Sequence, residues 1–161
     1  MILAAFESND EGCWDSGGGE SILTLMRLFI VANLDKPEVG PALRDLRTWL
    51  EQRVQIVGMD SDSEHDLQRI QADAILVLGG DGTLLSVARR LSGRQIPLIG
   101  INFGRLGFLA SFTPADFRKE FETVLAGPGL PIARRLMLEV AVRDDNAPSG
   151  HRFLATALND A

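Results

Sequence analysis

From Met26 onward the chain alternates short apolar runs with segments of helical periodicity. Leu28–Ala32 is a continuous apolar run of strand length, followed by the turn-like Asn33-Leu34-Asp35-Lys36-Pro37. Leu43, Leu46, Trp49 and Leu50 then recur at three- and four-residue spacing and predict a helix with one apolar face. Val54–Val57 predicts a second strand, and Glu64–Gln71 a short helical piece. Ala74–Leu78 predicts a third strand that runs into Gly79-Gly80-Asp81-Gly82-Thr83, with a helix expected from Leu84 to Leu91. Ile96–Gly100 predicts a fourth strand. Thr113-Pro114 reads as the N-cap and first position of a helix that ends near Gly127-Pro128-Gly129.

After Gly129 the pattern changes. Leu136, Leu138, Val140 and Val142 alternate with Met137, Glu139, Ala141 and Arg143, and Phe153–Leu158 follows a polar turn with no helix between. That is antiparallel character. The expected fold is α/β: a Rossmann-like three-layer domain with a parallel sheet over residues 26–128, then the first strands of an incomplete all-β domain over 129–161. In parallel sheets of this kind ligands bind beyond the carboxyl ends of the strands. Both glycine-rich segments fall there.

Charge separates the first 25 residues from the rest. They carry five acidic residues and no Lys or Arg, so the remainder of a chain with net charge −6 is nearly neutral. A neutral body lacks the basic face that nucleic-acid binding needs. The acidic start, with Gly17-Gly18-Gly19 inside it, is expected to be a disordered leader, and Met26 is a candidate initiator. No apolar stretch approaches the ~20 residues of a membrane span, so a membrane partner is not expected. Cys13 is the sole cysteine, which excludes an internal disulfide and fits a cytoplasmic protein. His65 and His151 have no second ligand at metal spacing and read as surface residues, so no protein metal site is expected.

Glycines at a strand end let the backbone approach a ligand closely, and the amides of the following helix suit phosphate oxygens. A carboxylate repels phosphate, so Asp81 in that loop points to acceptance of a proton from an attacking hydroxyl. The competing reading is a tight Asp-Gly turn. In Gly100–Phe108, glycines 100, 104 and 107 imitate a dinucleotide fingerprint, but no helix opens there until Pro114. A binding loop, with Phe108 free to pack on a base, fits better. The competing reading makes Phe103 and Phe108 core anchors of a long loop, and for Phe103 it is at least as good.

Gly-Gly-Asp-Gly-Thr after an apolar strand, with Gly100-Ile101-Asn102-Phe103-Gly104-Arg105-Leu106-Gly107-Phe108-Leu109 some twenty residues on, resembles the NAD kinase family. The Asn33–Pro37 turn and the terminal Asn159-Asp160 pair are similar to that family as well. The resemblance runs from Met26 to Ala161. It implies that Asp81 activates the 2′-hydroxyl of the adenosine ribose of NAD for attack on the γ-phosphate of ATP. It makes Gly79, Gly80, Gly82 and Thr83 the phosphate-side loop, with Phe108 beside the adenine and Leu109 where some members have tyrosine. Asn159 would hold the adenine and Asp160 would contact ribose. Mg²⁺ would come with ATP. The partners are small-molecule nucleotides, with a homo-oligomer expected for the full-length protein. Because only the first strands of the family's second domain are expected here, the chain alone is expected to be weakly active or inactive. The alternatives are a non-catalytic nucleotide-binding module and a lipid kinase of the diacylglycerol or sphingosine type, which shares the Gly-Gly-Asp-Gly-Thr loop.

Overall fold

The structure, a computed structural model, describes residues 2–6, 26–104, 107–110, 112–125, 132–143 and 151–158. Its elements are β1 (Ile2–Phe6), β2 (Arg27–Ala32), α1 (Val39–Leu50), β3 (Gln55–Asp60), β4 (Ala74–Gly79), α2 (Asp81–Leu91), β5 (Leu98–Asn102), α3 (Pro114–Leu125), β6 (Ile132–Arg143) and β7 (His151–Leu158). The strands form one sheet in the order β3-β2-β4-β5-β1-β6-β7. β3, β2, β4 and β5 are mutually parallel, and β6 and β7 pair antiparallel.

β2 and β4 are apolar on both faces because helices cover both. Leu28, Ile30, Leu76 and Leu78 face α1 and α3 together with Leu43, Leu46, Leu50, Phe117 and Phe121. Phe29, Val31, Ile75 and Val77 face α2, against Leu84, Val87, Ala88 and Leu91. The result is the expected three-layer α/β arrangement. Trp49 sits edge-on to Phe121 at 4.7 Å between ring centroids and so joins α1 to α3. Thr113 opens α3 as the sequence predicts: its Oγ1 accepts from the Asp116 amide at 3.2 Å and donates to the Asp116 carboxylate at 2.6 Å.

Two expectations need correction. Ile2–Phe6 is a strand, not disordered leader; it pairs in parallel with Ile132–Leu136 and meets Leu98 of β5. Five consecutive apolar residues (Ile-Leu-Ala-Ala-Phe) are strand-sized, and counting the acidic residues that follow hides them. Residues 7–25 lie outside the described residues. The second correction is Glu64–Gln71, which is turns and no helix. Asp62 Oδ1 accepts from the Glu64 amide and Asp66 Oδ1 from the Gln68 amide, local bonds that compete with helical ones.

A candidate nucleotide cleft at the strand ends

The chain leaves β2 through α1 to β3 on one side and returns past β2 to β4, which α2 then connects to β5. The direction of winding reverses between β2 and β4, and the carboxyl ends of those two strands are where a parallel sheet opens a crevice. A polar cleft of about 310 Å³ lies beside it, at the carboxyl ends of β2 and β3 against the first turns of α2, lined among others by Asn33, Asp35, Asp60, Asp62, Thr83 and Ser86.

Gly-Gly-Asp-Gly-Thr is the junction of β4 and α2. Gly79 ends the strand, Gly80 caps the helix in an extended conformation, and Asp81, Gly82 and Thr83 form its first turn. The helix thus begins three residues before the expected Leu84. Gly79 is required by packing, since a Cβ there would overlap the Thr83 side chain. Gly80 offers no side-chain cap, and its carbonyl accepts from the Thr83 and Leu84 amides. The amides ahead of them open toward the cleft end of the helix, where the dipole favours an anion.

Asp81, in that first turn, is held by the second glycine-rich segment. Its Oδ2 accepts from the Phe108 amide at 2.8 Å, and its Oδ1 accepts from the Leu109 and Ala110 amides at 3.2 and 3.1 Å. Gly107 packs against the same carboxylate with no room for a side chain. The two glycine-rich segments are therefore bound to each other through Asp81. They are also neighbours in the sheet, where Gly79 is in register with Asn102. The second segment leaves β5 and returns to it: the Asn102 amide donates to the Phe112 carbonyl and the Phe112 amide to the Gly100 carbonyl. Asn102, buried at this turn, accepts from the Gly104 amide through Oδ1.

The remaining expected site residues divide. Phe108 is 90% exposed at the loop tip, a large ring with nothing packed over it among the described residues. The Leu109 side chain instead joins the core on the α2 face and reaches Asp81 only through its amide. Asn159 and Asp160 lie outside the described residues. Three participants were not singled out from the sequence. Lys36, in the turn after β2, places its Nζ beside Gly80, about where a Cβ would come within 3.1 Å; a lysine in a strand-to-helix turn next to a glycine loop was the available signal. Gly107 and Asn102 stood in the motif without a role.

Residues 60–128 match the profile of the ATP-NAD kinase N-terminal domain. The NAD kinase of Rhodopirellula baltica is 36% identical over 136 residues, which are 84% of this chain and 42% of that protein. The NAD kinase of Syntrophotalea carbinolica is 38% identical over 148 residues, 84% of this chain and 50% of that protein. The chain is thus similar to NAD kinases over most of its length. It spans about half the length of these NAD kinase relatives or less. The crystal structure of yeast NADH kinase complexed with NADH superposes with a TM-score of 0.63 over 96% of this chain and 52% of that one. At 19% identity that likeness establishes the shared fold. Among the described residues, no helix is long and apolar enough to cross a membrane.

Proposed function

We propose that this chain carries the nucleotide-binding half of an NAD kinase, which transfers the γ-phosphoryl group of ATP to the 2′-hydroxyl of the adenosine ribose of NAD. The observation that carries the reading is the bond between the two motifs: the Asp81 carboxylate, at the head of α2, is held by the amides of Phe108, Leu109 and Ala110. A carboxylate offers about four lone-pair positions. Three are occupied by amides, so one stays available to a ribose hydroxyl. That hydroxyl would lie between the general base and the aromatic loop, with Phe108 covering the adenine.

Phosphates belong at the head of α2, where Gly80, Gly82 and Thr83 keep the backbone open and Lys36 adds a positive charge. Mg²⁺ enters with ATP and neutralises charge developing on the transferred group. Oxygen donors of the type it takes, the Thr83 and Ser86 hydroxyls and the Asp35 carboxylate, line the cleft. Asn159 and Asp160 are proposed to complete the adenine and ribose contacts. Residues 26–128 then form the α/β unit, and β6 with β7 opens the β domain that completes the cleft. The reading includes a cytoplasmic location and a homo-oligomer for the full-length protein. Positioning supplies much of the rate of phosphoryl transfer, so this half alone is proposed to turn over slowly or not at all.

The test is ATP- and Mg²⁺-dependent NADP formation by the purified chain, and by the chain extended through the β domain, with Asp81→Asn in each. Turnover in the extended protein that vanishes in Asp81→Asn supports the proposal. Saturable NAD binding without turnover in both would mark a nucleotide-binding module instead.

A further inference from the structure

The α2 side of the cleft holds a group of residues that phosphoryl transfer does not use. Asp60 is the last residue of β3, and its side chain is fully buried. Its Oδ2 accepts from Arg90 Nη2 at 2.5 Å, while Oδ1 is buried and has no hydrogen-bond partner. Leaving a buried carboxylate oxygen unsatisfied is costly. The loop beyond Asp60 bends at Ser63, which has a left-handed backbone (φ 64°) and stands between Asp62 and His65. One ligand atom each from Asp60, Asp62 and His65 lies within 4.8 Å of the others. His65 Nδ1 is 3.6 Å from the unsatisfied Oδ1, and its backbone carbonyl accepts from the same Arg90, which fixes that stretch of the loop.

We infer that Asp60, Asp62 and His65 form a binding site for a first-row divalent transition ion such as Mn²⁺, Co²⁺ or Zn²⁺. Mixed imidazole and carboxylate donors suit these ions, whereas Mg²⁺ and Ca²⁺ prefer oxygen alone. Metal–ligand bonds of ~2.0–2.2 Å require the donors to close by about an ångström or more. Asp62 and His65 are exposed, with Asp62 held by one bond from the Glu64 amide and His65 by an edge-on contact with Phe29, while Arg90 holds Asp60 as the fixed donor. Two carboxylates against one guanidinium leave one net negative charge, so the ion binds with moderate affinity. The inference does not depend on the kinase reading, since no substrate enters it.

The test is titration of the tag-free, chelator-treated full chain at neutral pH with Mn²⁺, followed by electron paramagnetic resonance, and with Co²⁺, followed by visible absorption. One saturable equivalent is expected, with His65→Ala and Asp62→Asn each weakening it at least tenfold while circular dichroism stays unchanged. Absence of saturable binding, or equal affinity in wild type and both variants, would overturn the inference. Both positions are exposed and neither substitution touches the Asp60–Arg90 pair; Asp62→Asn also leaves the edge-on contact of His65 with Phe29 in place.

Discussion

Gly107 lies so close to Asp81 that a methyl group at its Cα would overlap the carboxyl carbon and both oxygens of that side chain. Contact and hydrogen bonds together make Asp81 a bracket for the loop as well as a proposed base. Gly107→Ala should push the carboxylate off the amides of residues 108–110. Each charge-assisted hydrogen bond of this type contributes ~1.5–3 kcal/mol. Affinity for NAD, measured by calorimetry, is expected to fall at least tenfold.

Asp81→Asn should separate the two roles. An amide has one oxygen where the carboxylate has two, so at least one of the three loop amides loses its acceptor. Faster hydrogen exchange at Phe108, Leu109 and Ala110 is expected by mass spectrometry, together with loss of NADP formation. Loss of turnover with unchanged exchange would show that the loop does not depend on the Asp81 charge.

Lys36→Ala removes the positive charge beside Gly80. If phosphate sits at the head of α2, the variant should raise the KM for ATP several-fold and should steepen inhibition by salt less than wild type does. A change confined to thermal stability would remove Lys36 from the phosphate site.

Two carboxylates link stability to pH. Burial pushes the Asp60 carboxyl up, but the hydrogen bond and charge of the Arg90 guanidinium outweigh it and hold the group below its usual value. Burial also pushes Asp73 up, and its hydrogen bonds from Arg27 outweigh that too. A group depressed in the folded state binds fewer protons than it does unfolded, so its stabilisation is present above the ordinary carboxylate pKa of ~4 and is lost as pH falls through the folded value. Thermal melts should show Tm nearly flat from neutral pH down to about 5 and falling below about 4. Asp73→Asn should remove part of that fall.

Gly100 is packed on both sides. A Cβ there would come within 2.7 Å of a Leu84 methyl and 2.9 Å of the Ala110 Cα, and the second of these is backbone. Gly100→Ala is expected to cost about 1–3 kcal/mol in urea unfolding through overpacking.

The strands and helices were legible where one face or one run decided them. Leu43, Leu46 and Leu50 marked α1, and Ala74–Leu78 marked β4 almost to the residue. β3 was displaced because Val54 is a core residue ahead of the strand, which instead runs through Gly58 against the Phe29 ring to Asp60. The expected start of α2 was late because Gly82, a poor helix former, stands inside its first turn. Asp81 was legible as the chemical centre, but its acceptors were not: the amides it holds lie 27–29 residues away and belong to tertiary contact. His65 read as a surface residue because Asp60 and Asp62 approach it only through the bend at Ser63.

α2 is tethered at both ends. Asp81 at its head grips the loop after β5; Arg90 near its foot grips Asp60 and the His65 carbonyl; and just beyond, Arg94 donates to the carbonyls of Gln68 and Ile70. The loop after β3 and the loop after β5 are thus attached to a single rigid rod. A tilt of the rod that lifts one loop must shift the other, so the two behave as arms of one lever. The turn carrying Lys36 is joined to β4 through the Asn33 amide, which continues the ladder to the Leu78 carbonyl. The Lys36 turn is thus anchored to β4, outside the two arms of the lever.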